Sequence, residues 1–468
     1  MKHKRGTSWP KRFSKKAILG VVLLFTVSWS FDTTSAIAAE ACDPWVAKIV
    51  SVEGAIEARR AQAVSWTPAQ KGETFCEGDR VRVIQWRAAI VLSNETIIRL
   101  DQGTSVTFTK IEKERSSWLN LIEGIIHFIS RVPQRLNITT PFLNAAVEGT
   151  EFVIQVDPGQ RTRVWVFEGR VLVKNKFGQL LLTQDQAAEA QAGQAPRVIK
   201  VQPRDAVQWA LHYPPLIDTR AVSLTGPNQL TLEGALAMYN QGDLVSALKQ
   251  LDAVPRNRRE AQFFTFRAGL LLSVGRIEQA TKDLEQADAV DPGNGIAQAL
   301  QSVIAVVQND KDAALELALQ ATERAPNSPI PYIALSYAHQ AHFDIDEALK
   351  SAQEATRLNS QDGLAWARVA ELWLSKGHLD ETLEAAKKAV AQNPDLARTQ
   401  TVLGFAYLTQ AKIKKARTAF EKAIELDQAD PLPRLGLGLA KIQKSDLAEG
   451  RREIEIAASL DPNNAIVR

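Results

Sequence analysis

A period of 34 residues runs through the second half of the chain and constrains its fold more than any other feature. Pro292, Pro326, Pro394 and Pro462 recur at that spacing, with Ser360 and Gln428 in the two intervening places. Twelve residues ahead of each stands a small residue: Ala280, Ala314, Ala348, Thr382, Ala416 and Gly450, a series that Ala247 begins. Seven residues further on, a second series reads Ala287, Ala321, Ala355, Ala389, Ala423 and Ala457. Small side chains at helical spacing let two helix axes approach to about 8–10 Å. Gly242, Gly275 and Gly377 mark the turns between helices, because glycine takes positive φ without a Cβ clash. The prolines follow the second helix of each unit, where no further helical hydrogen bond is needed. The pattern predicts seven stacked helix pairs over residues 228–468, the first unit one residue short at the loop 254–257.

The clearest unit contains Leu403-Gly404, Tyr407, Ala416, Phe420 and Ala423, and resembles the tetratricopeptide (TPR) consensus. That resemblance implies an all-α solenoid that binds partners along a concave face lined by the first helix of each repeat. The register places Val303, Ile333, Tyr337, Glu371, Leu374, Arg398, Phe405, Leu408, Leu435 and Leu439 on this face. The set is more apolar than charged. It predicts a groove for an apolar or amphipathic segment of a protein partner, with packing between repeats as the competing role for each residue. Some TPR domains grip a peptide's terminal carboxylate with Lys and Asn at these positions, and this set has neither. Only six residues follow Pro462, so the last repeat is expected to expose an apolar edge that a partner or a second copy would cover.

The other end of the chain reads as an address. Residues 1–16 carry seven Lys/Arg, an apolar run of about 15 residues follows, and Ala36-Ile37-Ala38 offers an A-x-A site. This is the layout of a secretory signal peptide over residues 1–38, cleaved near Ala38. An uncleaved anchor gives the same outside topology. The expected location is the periplasm of a bacterium. The formal charge of +3 is misleading, since residues 39–468 hold 49 basic against 52 acidic side chains. That balance argues against nucleic acid as a partner, which wants a basic face. Cys42 and Cys76 are the only cysteines, and in an oxidising compartment an even pair bridges, here into a disulfide. Two thiols without a nearby His make half a zinc site.

From about residue 42 to 200 the pattern becomes short, alternating segments between Gly, Asn and Asp turns, which predicts an all-β domain. Strands are expected at 46–52, 79–83, 88–92, 96–100, 105–110, 125–129, 135–139, 151–156, 161–167 and 170–173, with Gly149 and Gly169 in turns. The stretch Val52-Glu53-Gly54, then Trp66, then Glu77-Gly78-Asp79-Arg80-Val81, resembles the opening of a FecR-type domain. Thr140-Pro141, Asn144 and Val147-Glu148-Gly149-Thr150-Glu151-Phe152 resemble its most distinctive stretch, with Glu148 where arginine is usual. The resemblance implies a role in cell-envelope signalling. The cytoplasmic anti-sigma segment of the best-known members has no counterpart in the 16 basic-rich residues before the apolar run, so sigma-factor activity is not carried over. The residues themselves read as structural, with Trp66 expected in the core and 148–151 as a turn.

Residues 201–227 join the two regions. The Ala- and Gln-rich stretch 184–202 reads as a surface segment, and residues 205–216 as a short amphipathic helix stopped by Pro214-Pro215. It is either a packing plug or a docking motif anchored by Trp209 and Tyr213. Six histidines are present, and only His339 and His342 share a helix face, a solvated helix end more readily than a metal site. With no acid–base constellation, no nucleophile and no phosphate loop, the chain reads as a non-enzyme without cofactor or metal. The leading expectation is an exported scaffold or adaptor: the TPR groove holds protein partners, and the β domain docks on an envelope component. An outer-membrane receptor, an export component and an inner-membrane regulator are the partner classes. A FecR-like sensor and a glycan-binding β domain are the alternatives.

Overall fold

The computed structural model describes residues 42, 44–110, 117–200, 203–240 and 243–461. The signal-peptide segment and Gly242 lie outside these residues. Among the described residues twelve strands come first, all paired antiparallel. They are β1 (Ala47–Arg59), β2 (Thr67–Ala69), β3 (Thr74–Phe75), β4 (Arg80–Leu92), β5 (Ile97–Asp101) and β6 (Ser105–Lys110), then β7 (Ser117–Thr139), β8 (Asn144–Asp157), β9 (Arg161–Asn175), β10 (Gly178–Thr183), β11 (Ala187–Gln191) and β12 (Arg197–Ile199). The main path across the sheet is β12-β11-β9-β8-β7-β5-β4-β1-β2.

Three long strands bend so that each serves two neighbours. Residues 80–82 of β4 pair with β6 while 87–91 pair with β5. Strand β7 is shared between β6 and β5 in the same way, and β9 between β11 and β10. The sheet thereby curls around an apolar core that includes Ile49, Phe75, Ile90, Phe108, Phe128, Phe152 and Val164. Alternation places these side chains on one face and leaves the other face to be covered.

The bends explain where strands expected as separate are continuous. Segments 79–83 and 88–92 are one strand, interrupted only by a bulge opposite β1. Gly54 (φ +86°) faces Trp86 (φ +58°) there, and the irregularity turns Trp86 outward from the sheet core. Segments 125–129 and 135–139 likewise belong to one strand. Residues 148–151 lie within β8 and not in a turn, and Gly169 is a bulge-like kink within β9. The Ala-rich stretch forms strand β11, whose small side chains Ala187, Ala188 and Ala190 are buried.

Among the described residues fourteen α-helices follow, in seven pairs: α1 (Gln229–Asn240) with α2 (Leu244–Asp252), α3 (Ala261–Ser273) with α4 (Ile277–Val290), and α5 (Gly295–Val307) with α6 (Lys311–Arg324). The array continues with α7 (Pro329–Ala341) and α8 (Ile345–Leu358), α9 (Gly363–Ser375) and α10 (Leu379–Gln392), α11 (Ala397–Thr409) and α12 (Ile413–Leu426), and α13 (Pro431–Ile442) and α14 (Leu447–Leu460). Both small-residue series are buried between helices. The turn within each of the last six pairs repeats one left-handed residue at the same period: Gly275, Asn309, Phe343, Gly377, Ala411 and Ser445. Side chains of Asp243, Asn294, Asp310, Ser328, Asp362 and Asp430 accept from first-turn N–H groups and fix helix starts. Among the described residues no helix is long and apolar enough to cross a membrane.

Candidate functional site

The outer face of the curled sheet is covered by the chain's own helices. Val50, Ala89, Val91 and Ile97 pack on Ile456 and Leu460 of α14, with Trp45 alongside. The apolar edge expected on the last repeat is thus covered at these residues by the β domain. Trp86 joins the main helical core at the other end of the array. One sheet face therefore touches both an early and the last helix pair.

Polar contacts at this junction are built from arginines. Arg87 on β4 is fully buried, donates from Nε to Glu53 (2.7 Å), and from Nη1 to the carbonyls of Trp209 (2.8 Å) and Leu211 (3.0 Å). Its cross-strand neighbours are Glu53 and Asp101, and Asp101 is paired with Arg276 at the start of α4. Arg276 also donates to the Trp86 carbonyl (3.1 Å). Arg99 on β5 donates to the carbonyls of Ala210 and Leu460, the latter at 2.6 Å. Burial, with Arg87 nearby, pulls its guanidinium below the ordinary arginine range. Arg434 of α13 donates to the Val50 carbonyl (2.6 Å), and Gln428 takes up Ser51 Oγ and the Val52 N–H. Breaking one partner of such a buried set leaves an uncompensated charge, which costs about 3–5 kcal/mol.

The joining segment fills part of the helical face. A 3-10 helix spans Pro203–Ala210, ending four residues before Pro214, and the chain then continues without regular secondary structure to the turn at 219–221. Val207 packs with Val153, Trp165 and Ala187 of the sheet. Trp209 (9% exposed) and Tyr213 (2%) are buried in the junction, where they anchor the chain's own packing instead of facing solvent. Residues 213–217 lie against Tyr239 of α1, Phe266, Gly269 and Leu272 of α3, and Leu300 of α5. Asp218 then crosses to α9: its carboxylate accepts the Gly363 N–H (2.6 Å) and the Asn393 side-chain amide (2.8 Å). Arg220 pairs with Asp395, and the chain returns to α3, where Gln262 bonds Thr225 and the Ser223 carbonyl. Beside this loop lies a cavity of about 510 Å³ lined by Phe266, Ile296, Ile330, Leu224 and Asp362 among others. Burial pushes the Asp362 carboxyl up to about 7, and Asp218 adds to this against the pull of the Ala365 N–H.

The ten residues expected on the concave face divide by depth. Val303, Ile333 and Leu408 are buried in inter-helix cores and do not line an open groove. Tyr337, Leu374, Phe405 and Leu435 are half-buried, and Leu439 is 38% exposed. Glu371 and Arg398 are brought together with Arg368, which the sequence reading did not single out. Glu371 accepts from Arg368 (3.0 Å) and from Arg398, and Arg368 is held by Ser336 (2.7 Å) and Gln340 (2.6 Å) over the Tyr337 ring. Burial works against the Glu371 carboxylate, but the two arginines outweigh it and hold it below the usual range. A period-34 register shows which face a residue is on; it does not show that an arginine there is buried by ion pairing.

Other expected features are placed as follows. Cys42 and Cys76 form a disulfide. Asp79 beside it completes, with the two sulfurs, the only cluster of Cys, His, Asp or Glu side chains with metal-ligand spacing among the described residues, and it contains no histidine. Its oxygens accept from Arg60 (2.8 Å) and from the N–H groups of Ala61 and Cys76 (both 2.9 Å), so the carboxylate serves the turn. Trp66 is not in the core; it is half-buried between the guanidinium groups of Arg59 and Arg82. His127, buried, meets Glu151 at 3.1 Å. His342 contacts the Lys311 carbonyl at 3.0 Å.

Comparison with known proteins agrees with both halves. Residues 79–172 match the profile of the FecR protein family, and 267–329, 333–397 and 397–430 match tetratricopeptide repeat profiles. No curated protein matches the chain. Solved structures that it is similar to include a human IFIT1 dimer with m7Gppp-AAAA, at 20% identity and a TM-score of 0.39, over 50% of this chain and 60% of that one. Others are a thermophilic TPR protein of Thermus thermophilus (21%, TM-score 0.35, 39% of this chain and 99% of that one) and MamA from Desulfovibrio magneticus (20%, 0.29, 36% and 97%). The chain thus spans about 60% of the length of the human protein it matches. It carries a FecR segment within its strands and a tetratricopeptide array over its helices.

Proposed function

We propose that this protein is an exported, non-enzymatic scaffold that holds a protein partner on its helical array and meets a cell-envelope component through its strand domain. Both matched segments are of kinds that serve in protein interaction and signalling. The observation that carries the reading is the junction. A sheet face is joined to the second and the last helix pairs through buried arginines, which favours one platform over two modules on a tether. The basic and apolar N-terminus, its A-x-A site and the Cys42–Cys76 disulfide support export.

The same junction favours a second reading, a signalling adaptor. A ligand that shifts the sheet face would be felt at α4, α13 and α14 through Arg87, Arg99 and Arg434. In-cell crosslinking with fractionation of the C-terminally tagged chain separates the two. Crosslinks to an outer-membrane barrel or export component, with a processed soluble species, are expected of the scaffold. Crosslinks to an inner-membrane regulator, with residues 1–38 retained, would replace it with the signalling reading. The absence of any protein crosslink would end both.

A further inference from the structure

The edges of the sheet are not alike. An unpaired strand edge invites another strand, and folded proteins blunt such edges with shortness, charge or proline. The two ends of the main path are blunted in this way. Strand β2 has three residues with Pro68 at its centre, and β12 has three residues opening on the exposed Arg197. Strand β10 is not. It runs for six residues, Gly178-Gln179-Leu180-Leu181-Leu182-Thr183, with no charge and no proline, and among the described residues it pairs with β9 alone. Leu182 is buried in the core, but Leu181 is 53% exposed, and Phe177 in the preceding turn is 49% exposed.

Alternation says which main-chain groups face outward. Successive residues of an antiparallel strand turn their N–H and C=O to opposite sides. The Thr183 N–H leaves β9 for the Gln186 side chain (2.8 Å), so Gln179 and Leu181 also turn theirs away from β9. Among the described residues these outward groups have no partner. Asn175 fixes the hairpin that presents them: its amide donates to the carbonyls of Phe142 (3.1 Å) and Gln194 (2.7 Å), and its oxygen accepts the Phe177 N–H (2.9 Å).

An edge of this kind is complementary to itself. Set antiparallel to a second copy about a two-fold axis at Leu180, Gln179 stands opposite Leu181 of that copy, and each exchanges its N–H and its C=O there. A centre at Leu181 would call on the Thr183 N–H, which is already taken. About Leu180 the two Leu181 side chains become diagonal neighbours on the exposed face, about 7–8 Å apart and within reach of each other. The same register brings the exposed Lys176 of each copy alongside the exposed Asp185 of the other, so opposite charges flank the uncharged strand at both ends.

We propose that the protein self-associates through β10, in an antiparallel two-fold pair that continues the sheet from one copy into a second. This goes beyond the partner-binding reading and does not depend on it. Sedimentation velocity of the full chain tests it. One short strand makes a contact at the low end of interface sizes, so the wild type should pass from monomer toward dimer between about 1 and about 200 µM. K176D and D185K set like charges against each other at both ends, and each should weaken dimerisation about ten-fold. An equimolar mixture of the two should recover the wild-type dimer, because every end then sets an acid against a base. L181K changes an exposed side chain, keeps the wild-type circular dichroism and thermal midpoint, and should stay monomeric. A wild type that is monomeric at the highest concentration would overturn the proposal. So would association that L181K leaves unchanged, or a mixture that dimerises no better than its components.

Discussion

Gly275 and Gly377 occupy the same turn in two different units of the array, which makes them a matched pair for measuring the junction. Both have left-handed backbone, φ +71° and +77°. A Cβ at Gly377 would meet nothing within 4 Å. At Gly275 it would lie 2.3 Å from the Trp209 carbonyl oxygen and 2.7 Å from Arg87 Nη1. Gly377→Ala should therefore cost only the left-handed strain, about 1–2 kcal/mol. Ala411, which carries that strain naturally at φ +55°, shows that it is tolerated. Gly275→Ala must add the loss of a buried, charge-assisted hydrogen bond, about 1.5–3 kcal/mol. The total is about 2.5–5 kcal/mol. Urea unfolding of the full chain, followed by far-UV circular dichroism and by tryptophan fluorescence, measures both. If the two variants lose stability equally, within about 0.5 kcal/mol, the turn of the second helix pair does not bear on Arg87 and Trp209, and the junction as described is wrong.

The same turn position supplies a stabilising change: Ala411→Gly should raise stability by about 0.5–1 kcal/mol, strain relief exceeding the entropy cost of glycine, as read by the urea midpoint. Replacing both cysteines, C42S with C76S, should remove about 3 kcal/mol, and reductant should have no further effect on that variant. Asp362 gives a pH test. Its folded carboxyl, at about 7, lies above its ordinary value of 3.8, so the folded state holds the extra proton between those values and wild-type stability falls as pH rises through that window. Asp362→Asn keeps an acceptor for the Ala365 N–H and does not titrate, so its stability relative to wild type should improve from about pH 4.5 to about pH 7.5. An unchanged difference at the two pH values would contradict the burial argument.

The helical array was legible in the sequence because one period governs packing, turns and caps together. Ala280, Ala314 and their partners recur where helices touch, and the left-handed residues recur at the same step even where glycine is absent, as at Asn309, Phe343, Ala411 and Ser445. The strands were legible from alternation. Their continuity was not, because a bulge such as the one at Ile84, beside the Gly54–Trp86 pair, looks like a strand end in one dimension. The site was legible only in part. Composition marks Arg87, Arg99 and Arg434 as surface charges, and only the fold shows that each spends its donors on carbonyls far away in the chain. Nor could spacing show that residues 213–224 lie on the helix face that spacing had identified.

That segment carries the central claim, because it is what makes sheet and array one body. Hydrogen exchange of the full chain, read by mass spectrometry, tests it most directly. The bonded amides of Leu211, Arg220, Ala221 and Val222, and the start of α9 where Asp218 accepts the Gly363 N–H, should exchange far more slowly than those of a free chain. Complete exchange of 209–224 within seconds, with α3 and α5 still protected, would show a loose tether between independent modules and contradict the account.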